Sequence, residues 1–397
     1  MKPLDGLLIL DLSRVLACPF ASMVLAELGA RVIKVEQPGT GDETRAFEPQ
    51  LARDSAYYFA CNRSKESIAV NLRSEEGRRI VRELAARADV FVENFPVGTM
   101  KRWGLSHEVL LGENPRLVYV SCTGFGQTGP YREKKGYDTV FQAMGGLMSL
   151  TGERGGGPVK PGLPVADLTS GLWVAIAILA SLHARAKDGK GCYVDFSMLD
   201  GQVSLLTIAA ARYFALGEVP PRLGTEHPGR VPSAAFRCAD GRFAHITASD
   251  QHWQPLLEAL GLEGTRLGTD PVFSDNAGRV ENRAAVMEQL TRAVAGLTRA
   301  QLIEKLDEAD VPVGPVNDLA EILNDPHVAA RGLVRSFSYP GVGDFKGLGV
   351  PYKFAGRDDP QVGRPPTLGE HTDSLLSELL GYSPETISRL KATKAVA

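Results

Sequence analysis

Short apolar runs of strand length alternate with helix-length segments through the first third of the chain. This alternation points to a parallel, doubly wound α/β sheet. GLLILDL (6–12), RVIKVE (31–36), DVFVENF (89–95) and RLVYVSC (116–122) read as buried strands. Pro19 suits the first turn of a helix that reaches about Leu28 and stops at Gly29. SEEGRRIVRELAARA (74–88) predicts a second helix, with Arg78, Arg79, Arg82 and Arg87 around its polar face. Further on, PVADLTSG (164–171) opens an apolar helix that runs to about Lys187, where KDGKG forms a turn. CYVDFSM (192–198) is the next strand, and LDGQVSLLTIAAARYFA (199–215) reads as one long helix.

Composition then shifts. EVPPRLGTEHPGRVPSAAF (218–236) is rich in Pro and Gly, as crossing loops are. A smaller alternating unit follows: RFAHITA (242–248) as a strand, HWQPLLEALG (252–261) as a helix, and QLIEKLDEA behind a capping box formed by Thr298 and Gln301. PVGPV and a short helix near 318–324 complete it. The expected division is a large domain over 1–224 and 326–397 and a small domain over 225–325.

At 397 residues, 44% hydrophobic and 23% charged, the chain has ample material for a core. A formal net charge of −3 supplies no global field for nucleic acid or an anionic membrane, so neither is expected as a partner. Asp5 and Asp11 interrupt the N-terminal apolar run, unlike a secretory signal. The longest apolar stretch, Leu172 to Leu182, is shorter than a bilayer requires, and a cytoplasmic location is expected. Five widely spaced cysteines without CxxC suggest reduced thiols. The seven histidines show no HExxH and no pair at i, i+4, so no metal site is expected. The turn after the first strand, DLSRVLACPFAS, lacks the glycines that let a dinucleotide pyrophosphate approach the backbone, and no phosphate-loop motif occurs.

Basic and amide residues instead recur at predicted strand ends: Arg14, Arg45, Asn71, Arg73 and Asn94, with Arg102 and Lys135 beyond. In a doubly wound sheet those ends border one crevice, and several cations there suit a phosphorylated ligand. SCTGFGQTGP (121–130) is a loop of three glycines that lets a ligand approach backbone N–H groups. Asp167, between Pro-Val-Ala and the apolar helix, has two readings. It is either an N-cap or a reactive carboxylate kept ionised by the helix dipole.

LDLSRVLACP, GARVIKVEQPGTGDETR, ENFPVGTMKRWG, SCTGFGQTGPY, GYDTVFQAMGG, PVADLTSG and LGEHTD together resemble the class III CoA-transferases, the relatives of formyl-CoA transferase and the carnitine-type CoA-transferases. The resemblance spans essentially the whole chain. It implies a Rossmann-like large domain built from both chain ends, a smaller α/β domain and an interlocked homodimer. It implies Asp167 as the nucleophile. Coenzyme A, a substrate rather than a tightly bound cofactor, is expected on Val15, Leu16, Gln37, Val70, Asn71, Leu72, Arg73, Asn94, Phe95, Arg102 and Lys135. Gln37 departs from members that carry Arg, so Arg45 or Arg73 is expected to compensate. Cys18, where glycine is common, reads as neutral.

The implied reaction moves CoA from an acyl-CoA donor, expected to be succinyl-CoA, to a small carboxylic or dicarboxylic acid. An aspartyl anhydride and an aspartyl-CoA thioester are its intermediates. Apolar neighbours of Asp167 would exclude water, and backbone N–H groups of the 155–157 glycines or of 144–147 are candidates for stabilising oxyanions. Asp138 reads equally as a neighbour of Asp167 or a structural residue. Arg14, Arg45 or Arg154 is expected to meet a second carboxylate or a phosphate. His245, His252 and Trp253 read as core or rim. One alternative is an α-methylacyl-CoA racemase. That chemistry needs an acid/base pair, and this chain has Tyr137 where such enzymes place His; an ordinary tyrosine is a poor base near neutrality. The other alternative, a non-catalytic CoA-binding protein, has no need of a carboxylate at 167.

Overall fold

The computed structural model describes residues 2–356, 358, 360 and 362–397. The chain forms two compact units: Met1–Leu147, Lys160–Leu216 and His327–Ala397 in the first, Met148–Val159 and Gly217–Pro326 in the second. The expected small domain, 225–325, lies inside the second unit, which also takes 148–159, 217–224 and Pro326.

The first unit is built on six strands. They are β1 (Leu8–Asp11), β2 (Arg31–Glu36), β3 (Glu66–Ala69), β4 (Val90–Glu93), β5 (Val118–Thr123) and β6 (Cys192–Ser197). Their spatial order is 3-2-1-4-5-6, and every pairing is parallel. Strands β4 and β5 are buried along their full length, which explains their continuous apolar sequence. Helices cover both faces. α1 (Ala17–Glu27) and α4 (Val165–Asp188) share one core with Ile9, Val32, Val90 and Val120. α2 (Glu75–Ala85) packs with Leu10, Ile33 and Phe91 on the other. The chain's end joins that second face: α9 (Thr372–Leu380) and α10 (Pro384–Ala392) bring in Leu375, Leu376, Ile387 and Leu390. Val396 bridges to Val70 beyond β3, tying the terminus to the sheet edge.

α4 meets α1 at Gly171, where a Cβ would lie 2.5 Å from the Ala17 carbonyl oxygen. Only glycine permits that approach. Ala166, Ser170, Val174, Ala175 and Ile178 form the buried stripe, and Arg185 closes it with an ion pair to Asp89 at 2.8 Å. The helix runs to Asp188, as its sequence predicts, and the apolar stretch Leu172 to Leu182 is only part of it. At 24 residues it is long and apolar enough, by length and composition, to cross a membrane. The one long helix expected over 199–215 is two: α5 (Met198–Ser204) and α6 (Thr207–Leu216). Ser204 Oγ donates to the Gly201 carbonyl and Thr207 Oγ1 to that of Ser204, a local competition that breaks the helical ladder.

The second unit contains an antiparallel sheet, β7 (Ser233–Arg237), β8 (Phe243–Thr247) and β9 (Val313–Pro315), with β8 central. α7 (Asp250–Leu260) and α8 (Arg299–Glu308) pack Trp253, Leu256, Leu257, Leu302 and Leu306 onto it. The Thr298–Gln301 capping box is formed. Trp253 is core, 4% exposed, and His252 belongs to the capping box of α7.

Candidate active site

The C-terminal ends of β3, β2, β1 and β4 stand side by side in the sheet. The residues that follow them are those the sequence singles out: Val70–Arg73 after β3, Gln37 after β2, Arg14–Leu16 after β1, and Asn94–Phe95 after β4. The order reverses between β1 and β4, the position where such sheets open a ligand crevice. Asn94 spans that junction. Its amide oxygen accepts the Arg14 N–H at 2.9 Å and its amide nitrogen donates to the Arg14 carbonyl at 2.8 Å. The Asn94 side chain thus holds a loop, and the Phe95 ring carries the Arg14 guanidinium 4.7 Å above its centre.

Phe95 also packs edge-on against Trp103, 5.0 Å between centroids, which draws the short helix Thr99–Arg102 alongside. Arg102 is exposed there, donating to Thr99 Oγ1. Val70 and Leu72 are buried, so side-chain contact with a ligand is closed to them. Asn71 is held by the Lys394 carbonyl and by the Arg73 N–H, leaving the Arg73 guanidinium exposed. Gln37 is half-buried, and Lys135 is exposed on the loop before α3 (Asp138–Met144).

Arg45 corrects an expectation. It is 5% exposed, and its guanidinium is bonded to Glu36, Asp54, Tyr58 and the Pro366 carbonyl. Its charge is thus matched by buried carboxylates, which argues against its use for a phosphate or a second carboxylate. Arg154, in the other unit, pairs with Glu226 at 3.5 Å. Arg14 keeps its guanidinium on an aromatic face.

Asp167 stands at the third position of α4, and it does not cap that helix. Asp138 does. One Asp138 oxygen accepts the backbone N–H of Ala166 at 2.9 Å and that of Asp167 at 3.2 Å. The other receives the Gln142 amide at 2.5 Å. With the cap supplied from elsewhere, the Asp167 carboxylate is not taken up by its own helix. The helix dipole does not hold it ionised as expected: burial, then the charge of Asp138, push it up to about 7. The bland reading of Asp167, as its own helix's cap, is set aside by this geometry.

Around this point the polar side chains of Gln142, Ser170 and Gln202 are buried, with the Gln142 oxygen, the Ser170 hydroxyl and both Gln202 amide atoms unpartnered. Tyr57, which the sequence reading passed over, is near enough that Asp167, Asp138 and Asp42 all raise its hydroxyl, after burial and Cys61. Gly146 takes φ +85° in the 144–147 segment before the loop that leads to α4. Among the described residues no group of three or more His, Cys, Asp and Glu converges as a metal site. All five cysteines are free.

The fold is thus an α/β protein with a parallel sheet, polar residues following its strands, and at the start of α4 a carboxylate that does not cap its own helix. The chain belongs to CoA-transferase family III, whose model matches residues 4–372. The mouse succinyl-CoA:glutarate CoA-transferase is 40% identical over 98% of this chain and 89% of its own. The acetyl-CoA:oxalate CoA-transferase of Acetobacter aceti is also 40% identical, over 95% of each. A solved CAIB/BAIF family protein from Brucella suis superposes with a TM-score of 0.85 at 40% identity, covering 95% of this chain and 99% of that one.

Proposed function

We propose that the chain transfers coenzyme A from succinyl-CoA to a small mono- or dicarboxylic acid, with Asp167 as the nucleophile. The observation that carries this reading is the division of labour at α4: Asp138 takes the capping hydrogen bonds and Asp167 keeps a half-buried, uncommitted carboxylate. The succinyl-CoA:glutarate relatives suggest the donor, and glutarate and oxalate in the relatives' names suggest the class of acceptor. Ionised Asp167 attacks the thioester carbonyl; a C–O bond forms, the C–S bond breaks, and CoA leaves as thiolate. The thiolate attacks the Asp167 carbonyl of the mixed anhydride, releasing the donor acid and leaving an aspartyl-CoA thioester. The acceptor carboxylate then displaces CoA, and the thiolate attacks the acceptor's carbonyl, freeing the Asp167 carboxylate.

Coenzyme A is read onto the strand ends through Val15, Leu16, Gln37, Val70–Arg73, Asn94, Phe95, Arg102 and Lys135, with Arg73, exposed after the neighbouring strand β3, as the cation read in place of an arginine at 37. For Val70, Leu72 and Asn94 the backbone is the contact this burial and bonding allow. The large unit is read as Rossmann-like, on its parallel 3-2-1-4-5-6 order. An interlocked homodimer accounts for the apolar residues left exposed along α4 to α6: Leu172, Trp173, Ile176, Ile208, Phe214 and Leu216. The same cover would bury α4 in the dimer and account for its apolar length without a membrane; a cytoplasmic location is kept as part of this proposal. The racemase reading draws no support from Tyr137, a residue that is 76% exposed.

The test is trapping. Incubation with succinyl-CoA, quenching with hydroxylamine or borohydride, and mass spectrometry should locate the adduct on Asp167 and none in Asp167→Ala. Tight CoA binding with no adduct across a panel of acyl-CoAs would overturn the covalent mechanism, and deuterium exchange at the α-carbon would then decide for a racemase. Analytical ultracentrifugation gives the dimer; a monomer at micromolar concentration would remove it.

A further inference from the structure

Val15 has φ +69°, a left-handed backbone that a β-branched residue adopts only when its surroundings impose it. The surroundings are visible. The Val15 N–H donates to both carboxylate oxygens of Asp42, each at 3.3 Å. Asp42 is fixed in turn by Lys34, whose ammonium lies 2.9 Å from it, with both side chains 1% exposed. The same ammonium donates to the Ser13 carbonyl at 2.9 Å. The Asp42 N–H donates to Glu36 at 3.0 Å, and Thr44 donates to Asp42 through its N–H and its hydroxyl. Asn94 grips the intervening residue, Arg14, from the β4 side. Residues 13, 14 and 15 are thus each tied by a separate side chain.

We propose that the buried Lys34–Asp42 pair is a positioning device for CoA binding, which holds Val15 left-handed so that Val15 and Leu16 present the backbone surface the coenzyme lies on. The inference rests on the reading that this loop contacts CoA. Neither Lys34 nor Asp42 reaches the crevice; they act through the loop. Without the clamp the loop relaxes toward ordinary backbone, and CoA affinity falls by the fraction of molecules still left-handed. A strain of the usual size for such a residue makes that loss on the order of tenfold.

The experiment measures Kd for CoA by calorimetry, together with kcat and KM, in four proteins: wild type, Asp42→Asn, Val15→Gly, and the double variant. Asp42→Asn is expected to raise Kd and the KM for acyl-CoA about tenfold, with kcat and the yield of trapped Asp167 adduct at saturating substrate within about twofold. Glycine adopts the left-handed conformation without strain, so Val15→Gly should make affinity insensitive to the loss of Asp42. A merely structural pair predicts otherwise: a lower Tm in Asp42→Asn with unchanged Kd, or no rescue by glycine. Either result overturns the proposal. Should Asp42→Asn not fold alone, the comparison moves to the Val15→Gly background. There a tenfold loss on adding Asp42→Asn is the overturning result and a change within twofold the supporting one. A wild type that binds no CoA overturns the underlying reading and this inference with it; a wild type that binds while Asp42→Asn binds equally well overturns this inference alone.

Discussion

Asp138 and Asp167 meet through the backbone: the carboxylate of the first accepts the N–H of the second at 3.2 Å. Asp138 therefore shapes the start of α4 and lends its charge to the neighbouring carboxyl. The two effects separate by mutation. Asparagine at 138 keeps an oxygen for the helix N–H groups and removes the charge. In the proposed mechanism attack requires ionised Asp167, so kcat/KM should rise with pH on an acid limb centred near the carboxyl's value of about 7. In Asp138→Asn the limb should move to lower pH without returning to the ordinary carboxylate range, because burial, the larger cause, persists. Asp138→Ala loses the cap as well, and should lower unfolding free energy by about 1–2 kcal/mol. A pH–rate profile and denaturant melts read the two separately; an unmoved limb in Asp138→Asn would show that the charge is not felt.

Asp167 itself makes a stability prediction. Its folded value lies above the ordinary value of 3.8, so the folded state binds more protons across that interval. Stability from this group falls as pH rises from about 4 to about 7, and the full cost is present above that. Asp167→Asn removes the titration. It should be inactive yet more stable than wild type above pH 7, by about 2 kcal/mol once the full shift is discounted for the carboxyl's remaining exposure. The advantage should shrink toward pH 4. Denaturant melts at several pH values check it, and an advantage independent of pH would reject the electrostatic cause.

Arg45 should matter to folding and not to substrate. Arg45→Met strands Glu36 and Asp54 in a buried site, which typically costs 3–5 kcal/mol. At a temperature where the variant stays folded, KM for acyl-CoA should remain within about threefold. A rise of tenfold or more with little loss of stability would return Arg45 to the ligand.

The contrast between Arg45 and Asp167 shows where sequence reading ends. The strands were legible because buried parallel strands are written as continuous apolar runs, and the candidate coenzyme positions because they follow directly on those runs. Asp167 was legible as one acid at the head of an apolar helix. Its cap was not, since Asp138 lies 28 residues before Ala166 and only the packing of α3 against α4 brings it there. Arg45 looks like a free cation in GTGDETR. Its acidic partners, Glu36 and Asp54, sit nine residues away on either side, a spacing that belongs to no helix or strand period. The Lys34–Asp42 clamp is hidden for the same reason, and the left-handed Val15 has no glycine to announce it.

With Arg45 occupied and Arg154 paired to Glu226, Arg14 is the cation of the three left for an acceptor's second carboxylate. It follows β1 at the crevice, and its guanidinium rests on the Phe95 ring, which orients the fork without neutralising it. On this reading a dicarboxylate is expected to gain a bidentate contact there that a monocarboxylate lacks. Arg14→Gln should therefore raise KM for glutarate roughly tenfold or more while leaving KM for a monocarboxylic acid of similar length within about twofold. The KM for succinyl-CoA, which also carries a free carboxylate, should rise with that of glutarate. If both acceptors weaken equally and the Kd for CoA rises in step, Arg14 serves the phosphates instead, and the selectivity for dicarboxylates lies elsewhere in the site.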